Sequence, residues 1–157
     1  MTEFIIAFDW GAARMGVAVA EASTRVATPR AAILEKDKAA QIRLAAAAVR
    51  EAEAATVLVG LPLERDGEDG PTTRSARMFA AKLEAALASV GWPATLHLVD
   101  ERFTSAEATT LLRAAGARPT GRDSRSGRLD SAAAAVLLAH WLDRSARAAD
   151  ASRGGPA

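Results

Sequence analysis

The stretch EFIIAFDWGAARMGVAVA, residues 3–20, predicts a β-hairpin whose first strand ends in an aspartate. Residues 4–9 are apolar and β-prone, and a second strand is predicted over residues 15–20, after the turn at Gly11. Asp and Gly are common where strands end, so Asp9 has an ordinary explanation as a strand terminator. The alternative is that Asp9 is held at this strand end to bind a cation, and the choice depends on the rest of the chain.

Composition and length indicate one globular domain. The chain has 157 residues, of which half are hydrophobic and a quarter are charged. No apolar run approaches the roughly 20 residues that a membrane helix needs, and the N-terminus shows no signal-peptide pattern. Cysteine is absent, which excludes disulfides and cysteine–zinc sites. We therefore expect a cytoplasmic protein with no membrane partner, one domain over residues 1–144 and a disordered tail over residues 145–157.

The elements after the hairpin predict an α/β fold with a mixed sheet. We expect a strand at 26–34, a helix from the Asp37 cap to about 53, a strand at 56–59, a helix at 73–90, a strand at 95–99, and helices at 104–115 and 130–142. Short connections favour antiparallel pairing of the first three strands, and helical crossovers favour parallel pairing of the other two. The prediction is a five-stranded mixed sheet flanked by helices.

Three acids are predicted to meet at one edge of this sheet. Asp9 ends the first strand, Glu101 follows the last strand, and Asp130 opens the final helix. Ligands of open α/β sheets gather at the carboxyl ends of parallel strands. Carboxylates that meet there repel one another and have raised pKa values unless a cation neutralises them, and their oxygens suit Mg²⁺ or Mn²⁺. The histidines, His97 and His140, lack ligand-like spacing, so zinc is not expected.

A basic segment precedes Asp130. Between residues 113 and 128 the chain has five arginines and one acid, Asp123; the arginines are Arg113, Arg118, Arg122, Arg125 and Arg128. Interspersed glycines and a proline predict a loop. This loop is either a solvated surface segment or an arm that contacts phosphates, because arginine binds phosphate oxygens in a bidentate manner.

Five motifs, in order, carry a resemblance to a known family. They are Asp9-Trp10-Gly11 followed by Arg14-Met15-Gly16-Val17-Ala18, VLVGLPLERDGEDGP at 57–71, the trio Arg77, Phe79 and Leu83, DERFTSAEA at 100–108, and DSAAA from Asp130. In this order and spacing they resemble the YqgF family of RNase H-like nucleases, also called pre-16S rRNA nucleases or Holliday junction resolvase-like proteins. The similarity covers residues 4–143.

The resemblance implies an RNase H-like fold and a metal-dependent nuclease. In such folds two divalent ions lie between acidic residues; one activates the attacking water and the other stabilises the leaving 3′ oxygen. The family acids correspond to Asp9, Glu101 and Asp130, which are therefore expected to be catalytic and to bind the metal. The implied substrate is structured RNA, in 5′-end maturation of 16S rRNA precursor, or a four-way DNA junction. The expected state is a monomer or homodimer, and symmetric junction cutting would require the dimer.

Further residues are weaker candidates for substrate contacts: Arg14, Arg102, Arg125, Arg128, Trp10, Gly60 and Pro62. Arg14 and Arg102 would lie beside the acids, either orienting a carboxylate or contacting phosphate. Trp10 could stack on a base or pack against the sheet. Gly60 and Pro62 would shape a loop at the same edge.

Rival interpretations start from the same residues. Asp130 alone is explained as a helix N-cap. Actin-like ATPases and sugar kinases also begin with Asp-x-Gly at a strand end, but they need two such domains around the nucleotide. A non-catalytic nucleic-acid-binding factor is the third alternative, although a pure binder has no need of a repulsive carboxylate cluster that faces phosphates.

Overall fold

The computed structural model describes residues 2–101 and 127–154. In this part of the chain lie five strands and three helices: β1 (Phe4–Asp9), β2 (Met15–Glu21), β3 (Val26–Ile33), α1 (Lys38–Glu51), β4 (Ala54–Leu61), α2 (Pro71–Ser89), β5 (Thr95–Asp100) and α3 (Arg128–Arg153). The helix predicted at 104–115 and most of the basic segment lie outside the described residues.

The five strands form one mixed sheet in the order β3-β2-β1-β4-β5. β1 pairs antiparallel with β2, and β2 with β3, while β1–β4 and β4–β5 are parallel pairs. This arrangement confirms the predicted five-stranded sheet. It also brings the carboxyl ends of β1, β4 and β5 to the same edge, where the sequence placed the acids.

Strand alternation divides the side chains of the sheet between two faces. In β1, Ile6 and Phe8 point into a core that α1 and α2 cover, whereas Ile5 and Ala7 point into a core that α3 covers. The same alternation places Asp9 on the α3 face of the sheet.

The α1/α2 face is packed with large side chains. Phe8 and Phe79 meet edge to face with ring centroids 6.2 Å apart, and Leu83 and Val49 are fully buried beside them. As predicted, Asp37 caps α1, accepting a hydrogen bond from the Ala40 N–H at 2.8 Å. The sequence also predicts an apolar stripe on α2, formed by Phe79, Leu83, Leu87 and Val90. The first three are buried, whereas Val90 lies just past the end of the helix and is exposed.

The α3 face has a larger share of small side chains than the α1/α2 face. Alanines on β1 and β2 contact alanines and leucines of α3; this core includes Ala7, Ala18, Ala20, Ala134, Ala135, Leu137 and Leu138. Side-chain size at the contact sets the separation of packed elements, so small residues let α3 lie close to the sheet. Within the described residues, no helix is long and apolar enough to span a membrane.

Helix α3 is longer than the sequence analysis expected. A helix ending near Leu142 and a disordered segment from about residue 145 were predicted, but α3 continues to Arg153. The segment after Leu142 is rich in Ala and Arg, which are strong helix formers. An i,i+4 ion pair of 3.0 Å joins Asp143 and Arg147, and the helix ends only at Gly154.

Candidate active site

The three predicted acids occupy three different elements at the carboxyl edge of the sheet. Asp9 is the last residue of β1 and lies opposite Gly16 of β2. Glu101 follows β5 directly, and its N–H donates to the Leu61 carbonyl of β4 at 3.2 Å. Asp130 is in the first turn of α3. Asp9, Glu101 and Asp130 interact electrostatically, so the structure brings together residues far apart in sequence.

Strand alternation explains why Glu101, and not Asp100, joins Asp9. Val99 points into the α3-side core, so Glu101, two residues further, continues on that face, while Asp100 points the other way. Gly60 of β4 makes room for Glu101: a Cβ on Gly60 would collide with the Glu101 carboxylate. Gly60 lies inside β4 and not in the loop that the sequence analysis predicted, and its lack of a side chain lets the acid lie across β4.

Two residues that the sequence analysis did not single out seat Asp130. A Cβ on Gly16 would collide with the Asp130 backbone, so only glycine lets the first turn of α3 rest on β2. The buried Ser131 hydroxyl accepts a hydrogen bond from the Val17 N–H of β2 at 3.1 Å. The sequence signal was present in the Arg-x-Gly-Val-Ala and Asp-Ser-Ala motifs, but their mutual contact appears only in the fold.

The carboxyl groups of Asp9 and Glu101 are coupled by a hydrogen bond between their side chains. Burial raises the pKa of Asp9; the hydrogen bond with Glu101 opposes this shift, and the negative charge of Asp130 adds to it. Burial, the hydrogen bond with Asp9 and the neighbouring acids raise the pKa of Glu101 to about 10. Without a cation, the pair therefore holds a proton between its two carboxyl groups at neutral pH.

Asp130 is paired with an arginine of the first turn. The Arg14 Nε lies 3.5 Å from the Asp130 carboxylate, and both side chains are partly exposed. Partial burial raises the pKa of Asp130, whereas the Arg14 charge acts in the opposite direction. Of the two roles predicted for Arg14, the orienting ion pair is therefore present. A phosphate could compete with Asp130 for the same guanidinium.

The chemistry of the three acids fits a hard divalent cation. Oxygen donors that share a proton and repel one another are neutralised when a cation replaces that proton. The described residues hold no group of three or more such side chains already arranged around a metal position. Asp9 and Glu101 are hydrogen-bonded to each other, and Asp130 forms an ion pair with Arg14. A bound cation would replace these interactions.

A buried glutamine fixes the turn between Asp9 and Arg14. Gln41 of α1 is almost fully buried, and its Nε2 donates to the carbonyls of Gly11 at 3.0 Å, Ala12 at 3.2 Å and Glu35 at 2.7 Å. The sequence analysis did not name Gln41. Its position beside the apolar face of the helix predicted after Asp37 could have indicated a buried polar residue with hydrogen-bond partners. The turn borders a cavity of about 640 Å³ that also contacts Lys36 and Asp130.

The remaining candidates differ in their surroundings. Trp10 is half-buried and packs against the α1/α2 core, as one of its two predicted roles requires. Pro62 opens the loop after β4, and its carbonyl accepts a hydrogen bond from the Thr73 hydroxyl at 2.6 Å. Arg128 is exposed in the first turn of α3. Arg102 and Arg125 lie outside the described residues.

Sequence comparisons identify relatives over nearly the whole chain. Residues 3–144 match the family model described as RuvX: Holliday junction resolvase. A protein of Anaeromyxobacter dehalogenans named "Putative pre-16S rRNA nuclease" is 44% identical over 138 residues, 88% of this chain and 95% of the relative. A protein of the same name from Chloroflexus aurantiacus is 33% identical over 141 residues, 90% of this chain and 87% of that one.

Comparison with solved structures supports the fold. RuvC of T. thermophilus, solved with a Holliday junction substrate, superposes with a TM-score of 0.59 at 12% identity, covering 92% of this chain and 96% of RuvC. The yeast mitochondrial Holliday junction resolvase Ydc2 superposes with a TM-score of 0.56, also at 12% identity, covering 92% of this chain and 80% of Ydc2. These similarities confirm the predicted RNase H-like architecture.

Proposed function

This chain belongs to the RuvX family of Holliday junction resolvases, and we propose that it is a divalent-metal-dependent nuclease with Asp9, Glu101 and Asp130 as its metal ligands and catalytic residues. One observation carries the proposal: three carboxylates from three separate elements meet on one face of the sheet, at its carboxyl edge. Such a cluster costs the fold electrostatic energy, and a bound cation offsets that cost.

In this proposal the acids hold the metal and Arg14 positions one of them. Bound Mg²⁺ or Mn²⁺, expected as a two-metal site, would supply an activated water and neutralise charge on the leaving oxygen. Asp9, Glu101 and Asp130 would hold the ion, and Asp9 and Glu101 would then lose their shared proton to solvent. Arg14 orients Asp130 and lies within reach of a phosphate beside it. Little covalent chemistry falls to the protein, so its contribution is the positioning of these groups.

The proposed substrate is a 16S rRNA precursor, cut during maturation of its 5′ end in the cytoplasm. The support is the name shared by the two relatives, each matched over nearly its full length. The family description favours a second candidate, the four-way DNA junction. Symmetric cutting of a junction needs two active sites and hence a homodimer, whereas cutting one RNA strand needs only the monomer.

The test offers both substrates to the purified chain with Mg²⁺ or Mn²⁺. A 5′-extended rRNA precursor and a four-way DNA junction are incubated separately with the parent, Asp9→Asn and Asp130→Asn. Asp150→Asn is the matched control, because Asp150 is an exposed carboxylate on the same helix as Asp130 and lies about 30 Å from it. We expect the parent to cut the RNA, the two site variants to lose about 100-fold or more in rate, and the control to keep most of its activity.

The outcomes separate the candidates. If the parent cuts the junction but not the RNA, the substrate is the four-way DNA junction. The active species should then have the mass of a dimer, because symmetric cutting needs two active sites. If neither substrate is cut by the parent, or if Asp9→Asn cuts as fast as the parent, the nuclease assignment at these residues is wrong.

A further inference from the structure

A cleft with a positively charged rim lies between α1 and α2. We call it the basic groove and define it by six of its lining residues: Trp10, Lys38, Arg74, Met78, Phe79 and Lys82. Its volume is about 340 Å³. It lies on the α1/α2 face and is separate from the cavity beside Asp130.

The three cations of the basic groove, Lys38, Arg74 and Lys82, form no ion pair with an acid among the described residues. All three side chains are exposed. No acid is found among the described lining residues. Of the acids nearby, Asp37 caps α1, and Asp69 hydrogen-bonds Arg77 at 2.7 Å while its charge also acts on Arg74. Such a concentration of cations suits a polyanion, although the whole chain carries a net charge of only +1.

The basic groove also offers flat and apolar surface. Trp10 is half-buried against the core, and Met78 is 55% exposed although it is a large apolar residue. Trp92, by contrast, is held in the fold by its indole N–H, which donates to the Ala54 carbonyl at 2.9 Å. Among the described residues, Trp10 has no such hydrogen bond. Aromatic surface flanked by cations is the combination that binds single-stranded nucleic acid, because bases stack on rings while phosphates pair with Lys and Arg.

The basic groove opens near the carboxylates but on the other face of the sheet. Trp10 follows Asp9 in sequence, so the two side chains point to opposite faces. Gln41 joins the two regions, since it lines the groove and holds the Gly11-Ala12 turn. A strand bound at Asp9 would therefore cross the edge of the sheet before it entered the groove. The groove is placed for nucleotides that flank the cut, not for the scissile nucleotide.

We propose that the basic groove binds a single-stranded nucleic-acid segment that flanks the cleaved bond. Its bases lie against Trp10 and Met78, and its phosphates pair with Lys38, Arg74 and Lys82. As a flank-binding site it rests on the proposed nuclease function, but its affinity for single strands can be measured without cleavage.

The experiment measures binding of a fluorescein-labelled single-stranded RNA of mixed sequence in EDTA, by anisotropy. The parent is compared with the double variant Lys38→Ala/Lys82→Ala and with Arg50→Ala, which removes a cation at the other end of α1, about 18 Å away. We expect the double variant to bind at least about 10-fold more weakly. The slope of log K against log salt concentration should become shallower by about 0.7 for each lysine removed. Arg50→Ala should bind like the parent, and circular dichroism checks that all variants are folded.

Trp10 provides an independent readout with unlabelled RNA. Stacking should quench part of the tryptophan emission of the parent, and Trp10→Phe should abolish that quenching while the ring still packs. Trp10→Leu should weaken binding by roughly 5- to 100-fold. A duplex of the same sequence should bind more weakly than the single strand, because its bases cannot stack on the protein.

Three results would overturn the inference: a folded lysine double variant that binds like the parent, tryptophan emission that RNA does not change, or displacement of the RNA by polyglutamate as effective as by unlabelled RNA. The last result would assign the groove to an acidic polypeptide. Failure here leaves the cleavage assay with Asp9→Asn untouched. Conversely, the parent could cut neither substrate while the lysine double variant still binds RNA more weakly than the parent. That result would contradict only the nuclease assignment.

Discussion

The two faces of the sheet differ in their share of small side chains, and the proposed active site lies on the face with the larger share. On the α1/α2 face, aromatic and branched side chains such as Phe8, Phe79 and Leu83 fill the space between sheet and helices. On the α3 face, alanines and Gly16 let the helix backbone contact the strand. The first face supplies most of the large buried side chains, and the second brings a carboxylate on a helix to one on a strand.

The difference shows what close packing does for a site assembled from several elements. Asp130 stands on a helix and Asp9 on a strand, so their separation depends on how closely the helix approaches the sheet. Gly16 sets that approach at the point where it matters, and Ser131 secures it with a hydrogen bond to β2. Large side chains at these positions would keep the core buried but move the acids apart.

The largest effect is expected from Gly16→Ala. The new methyl group would collide with the Asp130 carbonyl group and would lie only 2.7 Å from the backbone nitrogen of Ser131. The first turn of α3 therefore has to shift. We expect a loss of about 100-fold in cleavage rate, because displacement of catalytic groups by about 1 Å is that costly. A decrease of about 1–3 kcal/mol in the free energy of unfolding should accompany it. Cleavage kinetics and urea unfolding measure the two effects.

Gly91→Ala is the matched control for Gly16→Ala. Gly91 has a φ of +69° and no atom within 4 Å of an added Cβ, so the substitution introduces backbone strain of about 1–2 kcal/mol but no collision near the acids. It should leave the cleavage rate of the folded protein unchanged. If both glycine variants lose activity equally, close packing of α3 at Gly16 is not what positions Asp130.

The next effect is expected from Leu83→Ala on the opposite face. Leu83 is fully buried in the α1/α2 core, and its truncation leaves a cavity that should lower the free energy of unfolding by about 3 kcal/mol. Cleavage by the fraction that remains folded should change little, because no acid of the site is on this face. If folded Leu83→Ala loses as much cleavage rate as Gly16→Ala, the positioning of the acids does not depend on the α3 face alone.

The smallest effect is the pH dependence that the acids impose on the metal-free protein. Glu101 has an ordinary pKa when unfolded and a pKa of about 10 when folded, so its contribution to stability is complete below about pH 4.5 and falls as the pH rises through this interval. The slope is at most about 1.4 kcal/mol per pH unit, and the raised pKa of Asp9 acts in the same direction. Glu101→Gln should flatten the decline.

Urea unfolding in EDTA at about pH 6 and pH 8 measures this dependence. In the parent, added Mn²⁺ should restore stability more at the higher pH, because the cation replaces protons. A parent whose stability rises between these two pH values, or a Glu101→Gln variant with the same decline as the parent, would contradict the coupling between the acids.

Most of the fold and the identity of the candidate acids were predictable from local patterns. The hairpin, the Asp37 cap and the α2 stripe each follow from residues close in sequence, and the family motifs pointed to Asp9, Glu101 and Asp130. The end of α3 was predicted wrongly because its Ala- and Arg-rich continuation was interpreted as a tail. Gln41, Gly16 and Ser131 were missed because their partners lie far away in the chain.

The alternation of strands and helices, and with it the identity of the acids at the carboxyl edge of the sheet, follows from the residue pattern alone. Periodicity of two in strands and 3.6 in helices fixes the direction of each side chain relative to its own element. Three contacts are visible only once the chain is folded: Glu101 lies over Gly60, Gln41 holds the turn before Arg14, and α3 rests on Gly16. These contacts depend on the distances between elements, which are set by packing across the sheet and not by any one segment.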